Sequence, residues 1–169
     1  MKSKIAAFAH VSAVVAAAAL VVAVPADAGI HGVSGTKVHE QIAGGLVGTI
    51  TDTPDSFATF LATRKLTPGG VLTFRMPAVF DGTINGRTGT LQVEVLAVHR
   101  FRPGTRHYDF ESPEAYQPGT TGDPAVWLGG SSLVRITSGT GELAGAAGLL
   151  FFRDTVFLSE QEYWGIVRL

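Results

Sequence analysis

The sequence contains no cysteine. This absence excludes disulfide bonds, cysteine nucleophiles, cysteine metal ligands and lipid anchors attached through cysteine. Stability must therefore come from packing and hydrogen bonds. A surplus of one charge is also lacking, because 13 Lys and Arg residues stand against 14 Asp and Glu residues, for a formal net charge of −1. Nucleic-acid-binding domains carry clustered basic residues, so we predict no nucleic-acid partner.

Familiar catalytic patterns are missing as well. The chain has no P-loop, no H-E-x-x-H stretch and no Ser-His-Asp pattern. His107, Asp109 and Glu111 alternate along the chain, so an extended backbone would place them on one side, as a metal site requires. Such spacing is not diagnostic, and we favour a solvated loop over a metal site. We therefore predict no metal ligands.

The amino-terminal 28 residues have the pattern of a secretory signal peptide. Two lysines precede an apolar run from Ile5 to Val24, and Ala26-Asp27-Ala28 forms a small-x-small cleavage site. The alternative is a membrane anchor, because the apolar run is nearly long enough to span a bilayer. We favour cleavage after Ala28, which predicts a secreted protein, extracellular or periplasmic, without membrane contact after cleavage.

The rest of the chain is predicted to form one domain. Residues 29–36 are rich in glycine and are predicted to be a flexible leader, and residues 37–169 are predicted to be a β-barrel domain. In the latter, short runs of β-branched and aromatic residues alternate with glycine and proline, which is typical of antiparallel strands. The predicted strands are Val38–Ile42, Gly45–Thr51, Ser56–Leu66, Val71–Ile84, Thr88–Phe101, Val126–Thr137, Ala147–Leu158 and Glu162–Leu169.

About eight strands with almost no helix predict an all-β fold, either a single antiparallel barrel or a sandwich. The segment Ser56–Leu66 is ambiguous, because Phe57, Phe60 and Leu61 also fit helical spacing. We favour a strand there, since threonine and phenylalanine dominate the segment.

Asn85-Gly86 is the strongest hairpin signal of the chain, because both residues tolerate the positive φ angles of a tight turn. The segments Val71–Ile84 and Thr88–Phe101 should therefore pair. Pro77 lies inside the first of them and cannot donate a ladder hydrogen bond, so we expect a sheet edge or a bulge at this position.

Four glycines, Gly139, Gly141, Gly145 and Gly148, fall within ten residues. Glycine is required where φ is positive or where another strand passes very close. The spacing also fits the dinucleotide-binding fingerprint, but that fingerprint needs a helix to follow, and the residues that follow favour a strand. We interpret the segment as a tight turn that leads into a barrel strand.

Two stretches resemble the allene oxide cyclase and dirigent barrel superfamily, and the chain is most similar to its small secreted bacterial members of unknown function. They are D-G-T-I-N-G-R-T-G-T at residues 81–90 and S-G-T-G-E-L-A-G at residues 138–145. The resemblance covers Val71 to Leu169 and implies an eight-stranded antiparallel barrel around an apolar cavity. It also implies no cofactor, and characterised members steer ring closure or coupling of reactive apolar intermediates. Their cavity residues cannot be matched to positions of this chain.

Cavity residues must therefore be sought by strand alternation. Two faces of Thr88–Phe101 are open as the inward one: the face with Gln92 and Glu94, or the face on which only His99 is polar. The candidates for ligand binding in the cavity are Glu94, Arg75, Arg135, Asp154, Tyr163 and Trp127. For the charged candidates the alternative is a solvated outer face with cross-strand ion pairs.

Together these observations predict a secreted barrel that holds a small apolar molecule. A cofactor-independent cyclase or isomerase is the alternative, since orienting a reactive intermediate needs few catalytic side chains. A structural module with a filled core is a third alternative. The long connection from Arg102 to Pro124 is expected to cover one mouth of the barrel. The oligomeric state stays open, with a homo-oligomer among the options.

Overall fold

The computed structural model describes residues 29–103, 127–156 and 160–169. The connection predicted to cover a barrel mouth, with His107, Asp109 and Glu111, lies almost entirely outside these ranges. The elements are β1 (Ile30–Val38), β2 (Gln41–Gly44), β3 (Leu46–Asp52), α1 (Ser56–Thr63), β4 (Lys65–Leu66), β5 (Val71–Ile84), β6 (Arg87–Phe101), β7 (Trp127–Gly139), β8 (Ala147–Val156) and β9 (Glu160–Arg168).

Eight of the nine strands form a closed antiparallel barrel, which confirms the predicted all-β barrel and excludes the sandwich. The strand order is β3-β2-β1-β9-β8-β7-β6-β5, and β3 pairs with β5 to close the ring. The short β4 pairs with the beginning of β5 and lies outside the barrel. None of the helices in the described ranges is long and apolar enough to cross a membrane.

The predicted hairpin is confirmed. Asn85 and Gly86 have φ angles of 50° and 80°, and β5 pairs with β6 along its whole length. Pro77 lies in β5 where β3 pairs only as far as Ala78 and β4 only as far as Thr73. This stretch of β5 thus has no described strand on that side, so the missing N–H of Pro77 leaves no ladder bond unmade. The expected sheet edge is present.

The first segment after residue 29 differs from the prediction. Residues 30–36, predicted to be a flexible leader, belong to β1, which pairs with β9 along its full length. The predicted strand Val38–Ile42 instead contains the turn between β1 and β2. Glycine obscured the strand signal, yet Gly35 is needed there, because a Cβ atom would overlap the carbonyl oxygen of Ala43. Only the partner strand reveals this requirement.

The segment Ser56–Leu66 also differs from the favoured prediction, since its larger part is the helix α1 rather than a strand. The helical spacing of its phenylalanines prevails because that face packs against β5. Phe60 is fully buried, and its ring meets that of Phe74 edge-on at a centroid distance of 4.9 Å. The hydroxyl of Ser56 donates to the carbonyl of Pro77 and so ties the first turn of α1 to the strand.

The glycine-rich turn between β7 and β8 uses glycine for both predicted reasons. Gly141 and Gly145 have φ angles of 62° and 81°. Cβ atoms on Gly139 and Gly148 would overlap backbone carbonyl oxygens of the turn and of β9. Instead of a dinucleotide-binding helix, a single 3₁₀ turn follows, from Gly141 to Leu143, and β8 begins at Ala147.

The two ends of the barrel differ in how they are filled. We call the end that carries the β2–β3, β5–β6 and β7–β8 connections the closed end. Its interior is packed with side chains, among them Leu46, Phe80, Leu91 and Tyr163. The opposite end carries the β1–β2 turn and helix α1, and we call it the open end.

A cavity at the open end of the barrel

A cavity of about 460 Å³ lies inside the open end. This volume is in the range of small-molecule sites. Apolar side chains form much of its wall, and they are Ile50, Phe74, Met76, Ala78, Val95, Ala97, Val134 and Phe152. Polar side chains at the ends of β1, β2, β3 and β9 form its rim, and they are Lys37, His39, Glu40, Gln41, Thr51, Asp52 and Gln161. His99 and Ser132 add two polar groups to the wall.

Four polar side chains inside the open end form one row across five consecutive strands. His99 on β6 is paired with Gly130 on β7, the pairing of β7 with β8 ends at Ser131 and Arg153, and the side chain of the next residue, Asp154, lies beside Gly130. Asp154 is paired with Gln161 on β9, which in turn is paired with Lys37 on β1. We call His99, Asp154, Gln161 and Lys37 the polar row. Strand pairing thus brings together residues that are far apart in the sequence.

His99 and Asp154 are in direct contact. Nδ1 of His99 lies 3.2 Å from Oδ2 of Asp154, and their side chains are 5% and 0% exposed. The two side chains meet above Gly130, where a Cβ atom would lie 2.5 Å from Nδ1 of His99 and would overlap the carboxylate. Gln161 donates a hydrogen bond from Nε2 to Oδ1 of Asp154. Each carboxylate oxygen of Asp154 therefore faces one polar side chain.

Burial sets the charge of His99. Desolvation lowers the pKa of the imidazole below its ordinary value of 6.5, although the negative charge of Asp154 acts in the opposite direction. The ring is therefore neutral at neutral pH. It is stacked against Phe74 at a centroid distance of 5.6 Å and against Phe101 at 6.4 Å. These contacts restrict the orientation of the ring.

Lys37 and Asp52 face the rim of the cavity. Burial lowers the pKa of Lys37, while Asp154, Asp52 and Glu40 act in the opposite direction. Burial raises the pKa of Asp52, which Lys37 counteracts. Within the described ranges, Lys37 forms no ion pair at 4.0 Å or less. Lys37 lines the cavity, so its amino group can donate a hydrogen bond to a bound molecule.

Three of the predicted cavity residues lie on the outer surface of the barrel. The inward face of β6 is the one that carries His99, so Glu94 points outward. There Glu94 accepts a hydrogen bond of 2.7 Å from Arg135, and Arg75 lies 3.8 Å from its other carboxylate oxygen. The three side chains form a surface ion-pair cluster and do not line the cavity. Cross-strand ion pairing, the alternative reading, is what the structure shows.

The other three candidates point to different places. Asp154 belongs to the polar row. Tyr163 points inward but lies in the closed end, where its hydroxyl accepts a hydrogen bond of 2.7 Å from the backbone N–H of Leu46. Trp127 packs against the apolar cluster that contains Phe60. Neither aromatic residue lines the cavity.

Sequence reasoning missed Lys37 and Gln161 and noted His99 only as the polar residue of one alternative face. The alternation of β6 points to His99 as soon as the inward face is known. Lys37 lies between the predicted leader, residues 29–36, and the first predicted strand, which begins at Val38. The strand that contains Lys37 was therefore not predicted. No local signal marks Gln161, because its role depends on its pairing with Asp154 and Lys37 across strand boundaries.

The described part of the chain holds no cluster of three or more His, Asp or Glu side chains arranged to bind a metal ion. Comparisons of the chain with protein families, with curated proteins and with solved structures give no match. Function must therefore be argued from the cavity itself.

Proposed function

We propose that this protein binds a small, mostly apolar molecule in the cavity at the open end. The observation that carries the proposal is a cavity of about 460 Å³ with a mainly apolar wall, two polar wall residues and a polar rim. An apolar wall accommodates the body of a ligand, and a few polar groups orient it. The closed end of the same barrel is packed with buried apolar side chains, which shows that this chain can fill its interior where no ligand is needed.

The charges around the cavity disfavour an anionic ligand. Glu40, Asp52 and Asp154 act together on Lys37, so carboxylates outnumber the single ammonium group. An anionic ligand would be repelled by this excess of negative charge. Lys37 has donors for a carbonyl or hydroxyl oxygen. We therefore propose a ligand with an apolar body and one or two uncharged oxygen atoms.

The test is binding of N-phenylnaphthylamine, an uncharged apolar dye whose fluorescence rises in an apolar site. Val134 lines the cavity, whereas its neighbour Leu133 points outward from the same strand. We expect the dye to bind the wild-type protein and to bind Val134→Trp at least tenfold more weakly, while Leu133→Trp binds as the wild type does. Equal affinity of the two variants would contradict binding inside the barrel.

Identification of the natural ligand requires protein purified from the cells that produce it. Native mass spectrometry should show a bound compound, and Val134→Trp should carry less of it than Leu133→Trp. A compound retained equally by both variants lies outside the cavity.

We also propose that the chain is secreted and that it belongs to the allene oxide cyclase and dirigent barrel superfamily. The signal-like amino terminus supports the first proposal, and the glycine turn that enters a late strand of an eight-stranded barrel supports the second. Amino-terminal sequencing of protein from the culture medium or periplasm should begin at Gly29. Recovery of the intact chain in the membrane fraction would favour the anchor instead.

A cofactor-independent cyclase or isomerase is the second candidate function, and the contact of His99 with Asp154 at the cavity favours it. Binding of an apolar molecule does not require a buried carboxylate, which is costly to bury unless it is paired. Incubation of the co-purified compound with fresh protein should yield a product of the same mass and a different chromatographic retention. An unchanged compound would leave binding as the function.

A further inference from the structure

We infer that His99 accepts a proton from the molecule bound in the cavity and that Asp154 is its positioning residue. The inference rests on the proposed binding function and adds a chemical step to it. The ligand class is an uncharged, mostly apolar compound with a carbon-bound proton that a neighbouring carbonyl or similar group makes acidic. His99 lines the cavity, and its Nδ1 atom faces the carboxylate of Asp154.

The surroundings of Asp154 fix its position from three strands. Gln161 on β9 donates to one carboxylate oxygen, and Nδ1 of His99 on β6 faces the other. Gly130 on β7 leaves the space in which the two side chains meet. An alanine at position 130 would push the carboxylate and the imidazole apart. The residues around the contact are thus arranged to maintain it.

Burial indicates which ring nitrogen can act as a base. Nδ1 of His99 is buried and lies 3.2 Å from Oδ2 of Asp154, so a ligand cannot reach it, and we assign the role of base to Nε2. Phe74 and Phe101 hold the ring plane by stacking. When Nε2 takes up a proton, the positive charge of the imidazolium forms next to Asp154, which stabilises it.

The proposed step needs no co-reactant. The C–H bond of the ligand breaks, its electron pair stays on the ligand and is delocalised onto the neighbouring oxygen, and the proton moves to Nε2 of His99. Return of the same proton to another atom of the ligand regenerates neutral His99 and releases an isomer. No atom is gained or lost, and no electron leaves the ligand. The bound molecule is thus converted within the cavity.

The proton-transfer test uses nitrobenzisoxazole, a small uncharged aromatic compound. Removal of its carbon-bound proton by a base breaks the N–O bond and yields a coloured nitrile phenolate. We expect the full chain to accelerate this ring opening, and we expect the rate of His99→Gln to be about 100-fold lower than that of the wild type. The control His31→Gln removes a histidine that does not line the cavity and should keep the wild-type rate.

The pH profile separates a positioning role of Asp154 from a purely structural one. The charged groups around His99 in the described chain are Asp154 on β8 and, at the rim, Lys37, Glu40 and Asp52. Asp154 raises the pKa of His99, so its removal lowers that pKa. We expect Asp154→Asn to be slower at its plateau and to reach half of that plateau at a lower pH than the wild type. The control Asp81→Asn, on the outer surface, should leave the profile unchanged.

Gly130→Ala provides a second test of the contact. The variant keeps both functional groups and separates them, so we expect its rate to fall at least tenfold while binding of N-phenylnaphthylamine is retained. Two results together would show that the contact has no role in proton transfer. They are a wild-type rate in Gly130→Ala and a pH profile that is unchanged in both Gly130→Ala and Asp154→Asn.

The outcomes distinguish the two proposals. If N-phenylnaphthylamine binds normally to His99→Gln and the ring-opening rate equals that of the wild type, His99 is not the base, while the binding function stands. If the wild-type chain does not bind the dye, the binding function fails and the inference fails with it. If His99→Gln does not fold, the dependence of the wild-type ring-opening rate on pH tests the inference instead. A plateau with a midpoint below pH 6.5 supports the inference, and a rate that rises with hydroxide concentration without a plateau overturns it.

Discussion

The closed and open ends of the barrel are built from the same strands and use their inward positions differently. On β9, Tyr163 and Val167 fill the closed end, whereas Gln161 carries a polar group to the rim of the open end. On β6, Leu91 lies in the solid core and His99 lines the cavity. Packing in the closed end stabilises the barrel. This stabilisation offsets the destabilising effect of a cavity and buried polar groups in the open end.

Glycine has a different purpose at each end. At the closed end, Gly139 and Gly148 let neighbouring backbones approach, which tightens the core. At the open end, Gly130 makes room for the contact between two functional side chains. A glycine in a strand can therefore indicate either a stability requirement or a site, and only the atoms that a Cβ would meet distinguish the two.

The largest effect is expected from Gly148→Ala at the closed end. A Cβ atom there would overlap the carbonyl oxygen of Ile166, so the pairing of β8 with β9 must shift. We expect a loss of about 3 kcal/mol in the free energy of unfolding, measured by urea denaturation. Gly32→Ala is the control, because a Cβ at this position would meet no atom within 4 Å. Equal effects of the two substitutions would refute the close-approach argument.

A second comparison introduces phenylalanine at two neighbouring inward positions of β7. Ile136 lies in the solid core, and Val134 borders the cavity. We expect Ile136→Phe to cost about 2 kcal/mol through overpacking, whereas Val134→Phe should cost less than about 1 kcal/mol because its ring can enter the cavity. Thermal or urea unfolding measures both. Similar losses would mean that the two ends do not differ in packing.

Removal of one hydroxyl tests how polar groups are satisfied at each end. Tyr163→Phe leaves the buried N–H of Leu46 without its acceptor, and we expect a loss of about 2 kcal/mol. Ser132→Ala removes a hydroxyl at the cavity wall, where we expect a change within about 0.5 kcal/mol. If Tyr163→Phe lowers dye affinity and leaves the unfolding free energy unchanged, Tyr163 contacts ligand instead.

The buried histidine makes stability depend on pH. Because burial lowers the pKa of His99 below 6.5, the unfolded chain binds a proton in a range where the folded chain does not. Stability should therefore fall as the pH drops below 6.5, by up to about 1.4 kcal/mol per pH unit for this one group. Asp52 contributes with the opposite sign, since its pKa is raised, so the wild type is compared with His99→Gln. Parallel curves for the two proteins would contradict the lowered pKa of His99.

The smallest effect is expected on the outer surface. Glu94→Gln removes the central charge of the ion-pair cluster with Arg75 and Arg135, all of them solvent-accessible. We expect a loss below about 1 kcal/mol that shrinks as salt is added. Dye affinity should stay at the wild-type value. A clear loss of affinity would place Glu94 in the binding site after all.

Much of the barrel could be predicted because its signals are local. The hairpin at Asn85-Gly86 and the glycine turn before β8 follow from backbone preferences of a few residues. Helix α1 and strand β1 could not be predicted in the same way. The segment around Phe60 forms a helix because Phe60 packs against Phe74 on β5. Strand β1 forms by pairing with β9, which lies at the other end of the chain.

The site was predictable only in part. Asp154 was predicted from its place in an apolar strand. Glu94, Arg75 and Arg135 were predicted to face the cavity, but their side chains lie on the outer surface of the barrel. Both faces of β6 carry bulky apolar side chains, so hydrophobicity could not decide which face points inward. The register across β6, β7, β8, β9 and β1 assembles the polar row, and this register is not contained in any single segment.

The sequence by itself determined the class of fold, the central hairpin and the glycine turn before β8, because these depend on φ preferences and alternation within a few residues. The tertiary structure alone decided which face is inside, where the cavity lies and that His99 meets Asp154 above Gly130. Such facts arise from ring closure and cross-strand register, which join residues that the chain keeps far apart.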